Sequence, residues 1–148
     1  MHLICTRRLL VREQNPDILA CHTANPDILI FDRTKHSSNL GAAVSKLPCK
    51  PDVRLKGHSK EGFGLAWSPV SEGKLVSGAN DFMVTYYDVQ AAPKESGASM
   101  APLSVRTGHC NAVNDVAFSC FQADVFASGG DDGKLLLWDA RSSDLAGM

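Results

Sequence analysis

Short apolar runs, each bounded by Gly, Asn, Asp or Pro, recur along the chain. Clear examples are Gly64–Trp67, Lys74–Ser77 and Met83–Tyr87. Runs of this length, rich in β-branched and aromatic residues, are typical of antiparallel strands. Two shorter runs, Val53–Leu55 and Leu103–Arg106, follow polar stretches and are predicted to be outer edge strands. No segment has a convincing helical period, so the pattern predicts an all-β chain.

The same pattern occurs more than once. Residues 58–88 overlay residues 109–139 without a gap, and seven positions are identical: His58/His109, Ala66/Ala117, Ser68/Ser119, Ser77/Ser128, Gly78/Gly129, Asp81/Asp132 and Asp88/Asp139. A shorter third copy, residues 17–32, overlays residues 124–139. Self-similarity at this spacing indicates a repeat architecture, in which each copy is one small sheet.

Composition and charge narrow the class of protein. The 148 residues are 44% hydrophobic and 21% charged, the balance of a globular domain. Fifteen Lys and Arg against sixteen Asp and Glu leave a net charge of −1, so no overall basic field draws the chain to nucleic acid. The amino terminus lacks the apolar core of a signal peptide or membrane span. These features predict a soluble, intracellular protein without direct nucleic-acid or membrane binding.

Five cysteines are odd in number and far apart in sequence: Cys5, Cys21, Cys49, Cys110 and Cys120. None forms a Cys-x-x-Cys pair, which argues against both a disulfide framework and a zinc site. Reduced thiols are therefore expected, and no metal or cofactor is predicted.

A Gly-His start, a Trp-Asp finish and about 30 residues between them resemble the WD40 repeat, one four-stranded blade of a β-propeller. The resemblance divides the chain into a partial blade with an atypical leader and linker (1–56), a complete blade (57–107) and a blade lacking its outer strand (108–148). The first blade is expected to have three strands, although Leu9–Val11 is a candidate for the missing one. The adjacent basic pair, Arg7 and Arg8, fits that role poorly.

In that family His, Ser or Thr, Asp and Trp form a buried hydrogen-bonded tetrad. The resemblance implies such a structural tetrad in the last unit and, with Tyr in place of Trp, in the middle unit: His109, Ser128, Asp132 and Trp138, and His58, Ser77, Asp81 and Tyr87. The partial unit offers Cys21, Asn25 and Phe31, which predicts a weaker network or none. A buried His or Asp without a hydrogen-bond partner costs roughly several kcal/mol of stability. The four side chains are therefore expected to be hydrogen-bond partners of one another.

Ser, His and Asp together also suggest a hydrolase. Here the set recurs with a partner Trp, and no Gly-x-Ser-x-Gly elbow is present. We therefore predict that the chain is not an enzyme and has no catalytic residue, and we keep the hydrolase as an alternative.

Three stretches are similar to one subfamily, the retinoblastoma-binding, histone-binding WD40 proteins: IFDRTKH (30–36), PDVRLKGHSKEGFGLAW (51–67) and DVQAAPKE (88–95). The resemblance implies a scaffold, in the nucleus and secondarily the cytoplasm, that binds histone H3 within chromatin assembly, deacetylase or Polycomb-type complexes. Glu61 and Phe63 match the positions that hold the basic tail, and Asn114 stands where the family has an acid. The groove for histone H4 is not recognised, so H4 binding is not expected.

Two or three blades do not close a ring, which needs about four to eight. The chain is thus either a fragment, or it associates with other chains that bury its open faces. Besides the histone-binding scaffold, two interpretations stay open: a generic WD40 adaptor for other protein partners, and a truncated product without function.

Overall fold

Each repeat forms one sheet in the computed structural model, which describes residues 8–36 and 50–142. The first sheet consists, in spatial order, of β1 (Arg8–Arg12), β2 (Asn15–His22), β3 (Ile28–Asp32), β4 (Val53–Leu55) and β8 (Ala98–Met100). The second consists of β5 (Gly62–Trp67), β6 (Lys74–Ala79), β7 (Met83–Asp88) and β9 (Ser104–Thr107). The third consists of β10 (Val113–Phe118), β11 (Val125–Gly130) and β12 (Leu135–Asp139). The all-β prediction is confirmed.

Helical structure within the described ranges amounts to two short 3-10 turns, Arg33–Lys35 and Val89–Ala91. Each is capped by the Asp that ends the preceding strand, Asp32 or Asp88, whose side chain accepts a backbone N–H two residues on. The terminal Asp of the repeat therefore has a local role, which is to end the strand and start the connection. No helix in this part of the chain is long and apolar enough to cross a membrane.

Strand register is the same in the three sheets. The equivalent cross-strand pairs are Leu9–Cys21, Leu65–Ser77 and Val116–Ser128. The first strands of the second and third sheets also shift register at the same place, after Gly62 and after Val113. Positions aligned in the sequence therefore occupy equivalent places on the sheets, and one blade can be compared with the next residue by residue.

The leader supplies the first strand of the first sheet. The expectation of three strands there was too low, since Leu9–Val11 lies within β1 and pairs with β2. The two arginines at the ends of β1, Arg8 and Arg12, contact residues of the other two repeats. Arg12 pairs with Glu72 and lies over the Trp67 ring, 5.9 Å from its centroid, and Arg8 lies 3.4 Å from Asp115. Arg7 is outside the described residues.

The connection between β7 and β9 also forms part of the first sheet. Its strand β8 runs parallel to β4, so β4 is not the edge strand that the sequence predicted. Backbone hydrogen bonds extend the pairing, from Lys56 N–H to the Met100 carbonyl (2.8 Å) and from Gly97 N–H to the Asp52 carbonyl (2.9 Å). The polar stretch that precedes Leu103–Arg106 therefore ties the second sheet to the first. The other predicted outer strand is present as β9.

The apolar core lies between the sheets. The first cluster includes Ala20, Ile28 and Ile30 from the first sheet and Leu65, Trp67, Leu75 and Tyr87 from the second. The second cluster includes Val76, Val84 and Tyr86 from the second sheet and Val113, Val116, Phe126 and Trp138 from the third. Tyr86 stacks on Phe126 with ring centroids 5.7 Å apart and planes 5° apart. The second sheet is thus buried on both faces.

Two glycines at the same repeat position have different surroundings. A Cβ on Gly78 would lie 2.4 Å from Val113 Cγ1 and 3.0 Å from Val113 Cβ, because the third sheet packs directly on that position. A Cβ on Gly129 would meet nothing within 4 Å. Sheet packing, and not backbone conformation, therefore requires glycine at position 78.

We predict that Gly78→Ala lowers the free energy of unfolding by about 1–3 kcal/mol, the usual cost of overpacking a core. The matched variant Gly129→Ala is expected to be neutral or slightly stabilising, because it restricts the unfolded chain without a clash. Denaturant titration of dilute protein measures both. Equal losses for the two variants would show that the sheets do not pack as described.

Candidate functional site

The third sheet contains a closed hydrogen-bonded set. His109 Nδ1 lies 3.0 Å from the Asp132 carboxylate, and its Nε2 lies 2.8 Å from Ser128 Oγ. The indole Nε1–H of Trp138 donates to the same Ser128 oxygen at 2.8 Å. With the proton on the nitrogen that faces the carboxylate, Ser128 donates to His109 and accepts from Trp138. The four residues expected to form a tetrad are brought together here.

Asp132 is the anionic end of this set. Burial by itself raises the pKa of Asp132, but hydrogen bonds from the Cys110 N–H (3.0 Å), from His109 and from the Lys134 N–H (3.1 Å) outweigh it. The pKa of the carboxyl is therefore held well below its usual range. A charged carboxylate that accepts several N–H groups fixes both the loop before β10 and the turn before β12.

The second sheet has a related set with one different member. His58 Nδ1 lies 3.0 Å from the Asp81 carboxylate, and its Nε2 lies 3.0 Å from Ser77 Oγ and 2.9 Å from Thr85 Oγ1. Burial raises the pKa of Asp81, but hydrogen bonds from His58 and the Ser59 N–H lower it by more. The net shift of the pKa is therefore downward. The His, Ser and Asp positions are thus occupied as in the third sheet.

Tyr87 does not take the place of Trp in this set, which corrects its assignment to the tetrad. Its hydroxyl donates to the Lys56 carbonyl at 2.7 Å and also interacts with the Thr85 side chain. Burial raises the pKa of Tyr87 to about 12, so the hydroxyl keeps its proton as a donor. The ring remains part of the core, and its polar end supports the loop before His58.

His22, which the sequence reasoning missed, supplies the donor that Tyr87 does not. It extends from the end of β2 in the first sheet and places Nε2 2.8 Å from Ser77 Oγ and 3.2 Å from the Gly64 carbonyl. Because that carbonyl can only accept, the proton of the neutral ring lies on Nε2. The imidazole ring of His22 fits here because position 62 is glycine. A Cβ on Gly62 would lie 2.9 Å from His22 Cε1. His22 therefore does for Ser77 what Trp138 does for Ser128, but from a neighbouring sheet.

A signal for His22 was present in the repeat overlay. His22 aligns with Gly78 and Gly129, so a large polar residue stands where the other two copies have none. The positions that were considered in the partial unit play other parts: Cys21 is buried, Asn25 is exposed, and Phe31 packs against His36 with centroids 5.8 Å apart. The first sheet thus contributes to the network of its neighbour.

Neither Ser–His–Asp set is accessible to a substrate. Ser77 is 0% exposed and Ser128 1% exposed. Within residues 8–36 and 50–142, no group of three or more His, Cys, Asp or Glu side chains is placed to hold a metal ion. A buried hydroxyl whose hydrogen bonds serve its neighbours acts as a structural group.

The residues proposed for tail binding lie where β5 and β10 begin. Glu61 precedes β5 and its carbonyl accepts the Asn80 N–H at 3.0 Å, while Phe63 is half-buried within β5. Asn114 is exposed at the start of β10, and its amide donates to the Asp131 carboxylate. The two strands are adjacent, because a Cβ on Gly64 would lie 3.4 Å from the backbone of Asp115. The structure therefore brings Glu61, Phe63 and Asn114 to the same edge of neighbouring sheets.

Comparison with known proteins agrees with this architecture. Residues 100–139 match the family described as "WD domain, G-beta repeat". The whole fold is similar to a propeller chain in the solved structure described as "Crystal Structure of Mitotic Checkpoint Complex", with a TM-score of 0.65 and 26% sequence identity. The match covers 88% of this chain and 36% of that one, so this chain spans about a third of its relative's length.

We predict that Ser128→Ala destabilises the chain by about 1–3 kcal/mol, because it leaves His109 Nε2 and Trp138 Nε1 buried without a partner. Ser128→Thr keeps the hydroxyl and is expected to lose less. The melting temperatures of both variants are measured by thermal unfolding monitored by circular dichroism. A melting temperature for Ser128→Ala equal to that of the parent chain would contradict the assigned network.

We also predict a loss of stability between about pH 6.5 and pH 4 that depends on His22. Burial, followed by the nearby His58, lowers the pKa of His22 from 6.5 to about 4. His22 therefore binds a proton below about pH 6.5 in the unfolded chain, but only below about pH 4 in the folded chain. Stability is fully present above this window and decreases as the pH falls through it, by about 3 kcal/mol in total.

The control is His22→Gln, which keeps an N–H donor but does not titrate. Denaturant titrations at several pH values should give a shallower pH dependence for this variant than for the parent chain. Identical pH profiles of the two proteins would exclude His22 as the group responsible.

Proposed function

Because residues 100–139 match a WD40 repeat and the sheets stack as propeller blades, we propose that this interaction scaffold binds the basic tail of histone H3. The observation that carries the proposal is the common edge of β5 and β10. There Glu61, Phe63 and Asn114 lie at the starts of adjacent strands, and Asn114 donates to Asp131 in the turn after β11. A carboxylate beside an aromatic ring is suited to an Arg or Lys side chain, whose head group it neutralises and whose stem the ring contacts.

The neutral residue at position 114 does not leave this edge without charge. Its amide hydrogen bond holds the Asp131 carboxylate in the neighbouring turn. Asp131 is itself fixed by its backbone N–H, which donates to the Ala112 carbonyl at 2.9 Å. We infer that Asp131 supplies the negative charge that the family has at position 114.

Arg8 and the exposed Lys60 beside Glu61 are cations that oppose binding at this edge. Arg8 lies 3.4 Å from the Asp115 carboxylate, so that acid is already partly compensated. Both side chains of this pair are solvent-accessible, and such pairs contribute little and are screened by salt. A basic tail with several charges can therefore displace Arg8 from Asp115 at small cost.

The proposed setting follows from the same resemblance. A scaffold of this kind would operate in the nucleus, with the cytoplasm as a second location, as a subunit of chromatin assembly, deacetylase or Polycomb-type complexes. Its role there is to present the tail and not to modify it, since neither buried serine is accessible. No contact with histone H4 is proposed.

A second candidate is a general WD40 adaptor for a non-histone protein. It is favoured by the structural similarity to a chain in a mitotic checkpoint complex, which is a different kind of assembly. Affinity capture with an immobilised chain from nuclear extract, followed by mass spectrometry, separates the two. Recovery of one defined non-histone partner without histones would support the adaptor.

We predict that a fluorescent H3 tail peptide binds the chain, that binding weakens as salt is raised, and that Glu61→Gln weakens it about 3–30-fold. This range corresponds to about 0.7–2 kcal/mol, the charge-dependent part of a hydrogen bond at a half-buried carboxylate, since Gln keeps an acceptor oxygen. Fluorescence anisotropy titrations measure the effect. The matched control is Glu95→Gln, the same chemical change at an exposed position in the connection before β8.

Three results would contradict the proposal. They are absence of binding at low salt, binding that does not respond to salt, and equal losses for Glu61→Gln and Glu95→Gln. The first would remove the histone tail as a ligand, and the other two would place any binding outside the β5–β10 edge.

A further inference from the structure

We propose that two copies of this chain associate head to tail, with Leu135 and Leu137 of the third blade in one copy packing against β1 of the first blade in the other. The proposal concerns the two outer faces of the blade stack and does not depend on histone binding. It rests on the equivalence of blade positions, which allows the contact between two blades of the chain to be transferred to its ends.

Each blade turns one apolar face toward the next blade. The equivalent positions are Ala20, Ile28 and Ile30 in the first blade, Val76, Val84 and Tyr86 in the second, and Ala127, Leu135 and Leu137 in the third. The first two sets are buried in the cores between blades. In the third blade, Leu135 is 75% exposed and Leu137 is 44% exposed. The same apolar face is thus covered twice and uncovered once.

The opposite face of each blade receives the apolar side chains of the preceding blade. Tyr86 of the second blade packs on Phe118 and Phe126 of the third, with ring centroids 6.2 and 5.7 Å away. The register makes Val11 and Leu19 of the first blade equivalent to Phe118 and Phe126. Val11 and the nearby Leu9 are 49% and 58% exposed, so this face is also partly uncovered.

The free part of the receiving face is centred on β1. Cys21 and Leu29, on the same face of the first blade, are already buried. Leu137, as the equivalent of Tyr86, would therefore contact Val11 and Leu19, and Leu135 would lie beside them. Leucine and valine side chains are exposed on both surfaces, and clustered exposed apolar side chains of this kind mark interaction sites.

A second copy is the occupant because one chain carries both halves of this interface. The presenting and receiving faces are different surfaces, so their contact is heterologous, and such contacts form a ring if the rotation closes. Two copies of three blades make six, which lies within the usual range of about four to eight blades. A closed pair would bury both exposed faces of both copies.

The test uses one variant for each face. Leu137→Glu places a negative charge on the presenting face, and Val11→Lys places a positive charge on the receiving face. Size-exclusion chromatography with light scattering should give twice 15.9 kDa for the parent chain and 15.9 kDa for each variant alone. An equimolar mixture of the variants should recover a 1:1 dimer, since one of its two interfaces is unchanged and the other brings opposite charges together.

The matched control is Val70→Glu. Val70 is exposed in the turn between β5 and β6, and this variant should remain dimeric. Far-UV circular dichroism of each variant verifies that the substitution has not unfolded it. The proposal is overturned if the folded parent chain is monomeric at its highest soluble concentration, if the mixed variants stay monomeric, or if the mass rises continuously with concentration as in an open polymer.

Discussion

Burial of each sheet against its neighbours is the interaction on which the rest of this structure depends. A twisted sheet of three to five strands has two faces, and the alternating side chains of these strands make both faces apolar. The second sheet satisfies both, against Ile28 and Ile30 on one side and Val116 and Phe126 on the other. The third sheet leaves one apolar face exposed, and the first sheet leaves the β1 part of one face exposed. This asymmetry determines which surfaces of the chain remain available.

The hydrogen-bonded His sets are a consequence of that burial. Once the sheets stack, the loop that precedes each inner strand is pressed against the core, and its polar groups must find partners inside the protein. His109 and Asp132 do so within one sheet, with Trp138 as the final donor. In the second sheet the final donor is His22, which belongs to the first. That bond therefore joins two blades as well as completing a network, and it makes their contact sensitive to protonation.

The same stacking creates the candidate recognition edge. Glu61 and Asn114 are 53 positions apart in sequence, yet both lie at the starts of adjacent strands, β5 and β10. The close approach of the two strands depends on glycine at positions 64 and 78, where a side chain would meet the third sheet. Recognition by this edge would thus depend on residues that themselves contact no partner, because they set the distance between blades.

The sequence by itself determined the fold class, the repeat and the members of the third-sheet tetrad, because these follow from local periodicity and from residue types that recur at fixed spacing. Tertiary structure alone decided the place of Arg12, which depends on Glu72 and Trp67, and the pairing of β8 with β4. It also decided that His22 replaces Tyr87 as the donor to Ser77. In each of these cases the partner lies in another repeat, and a pattern read within one repeat contains no information about distances between repeats.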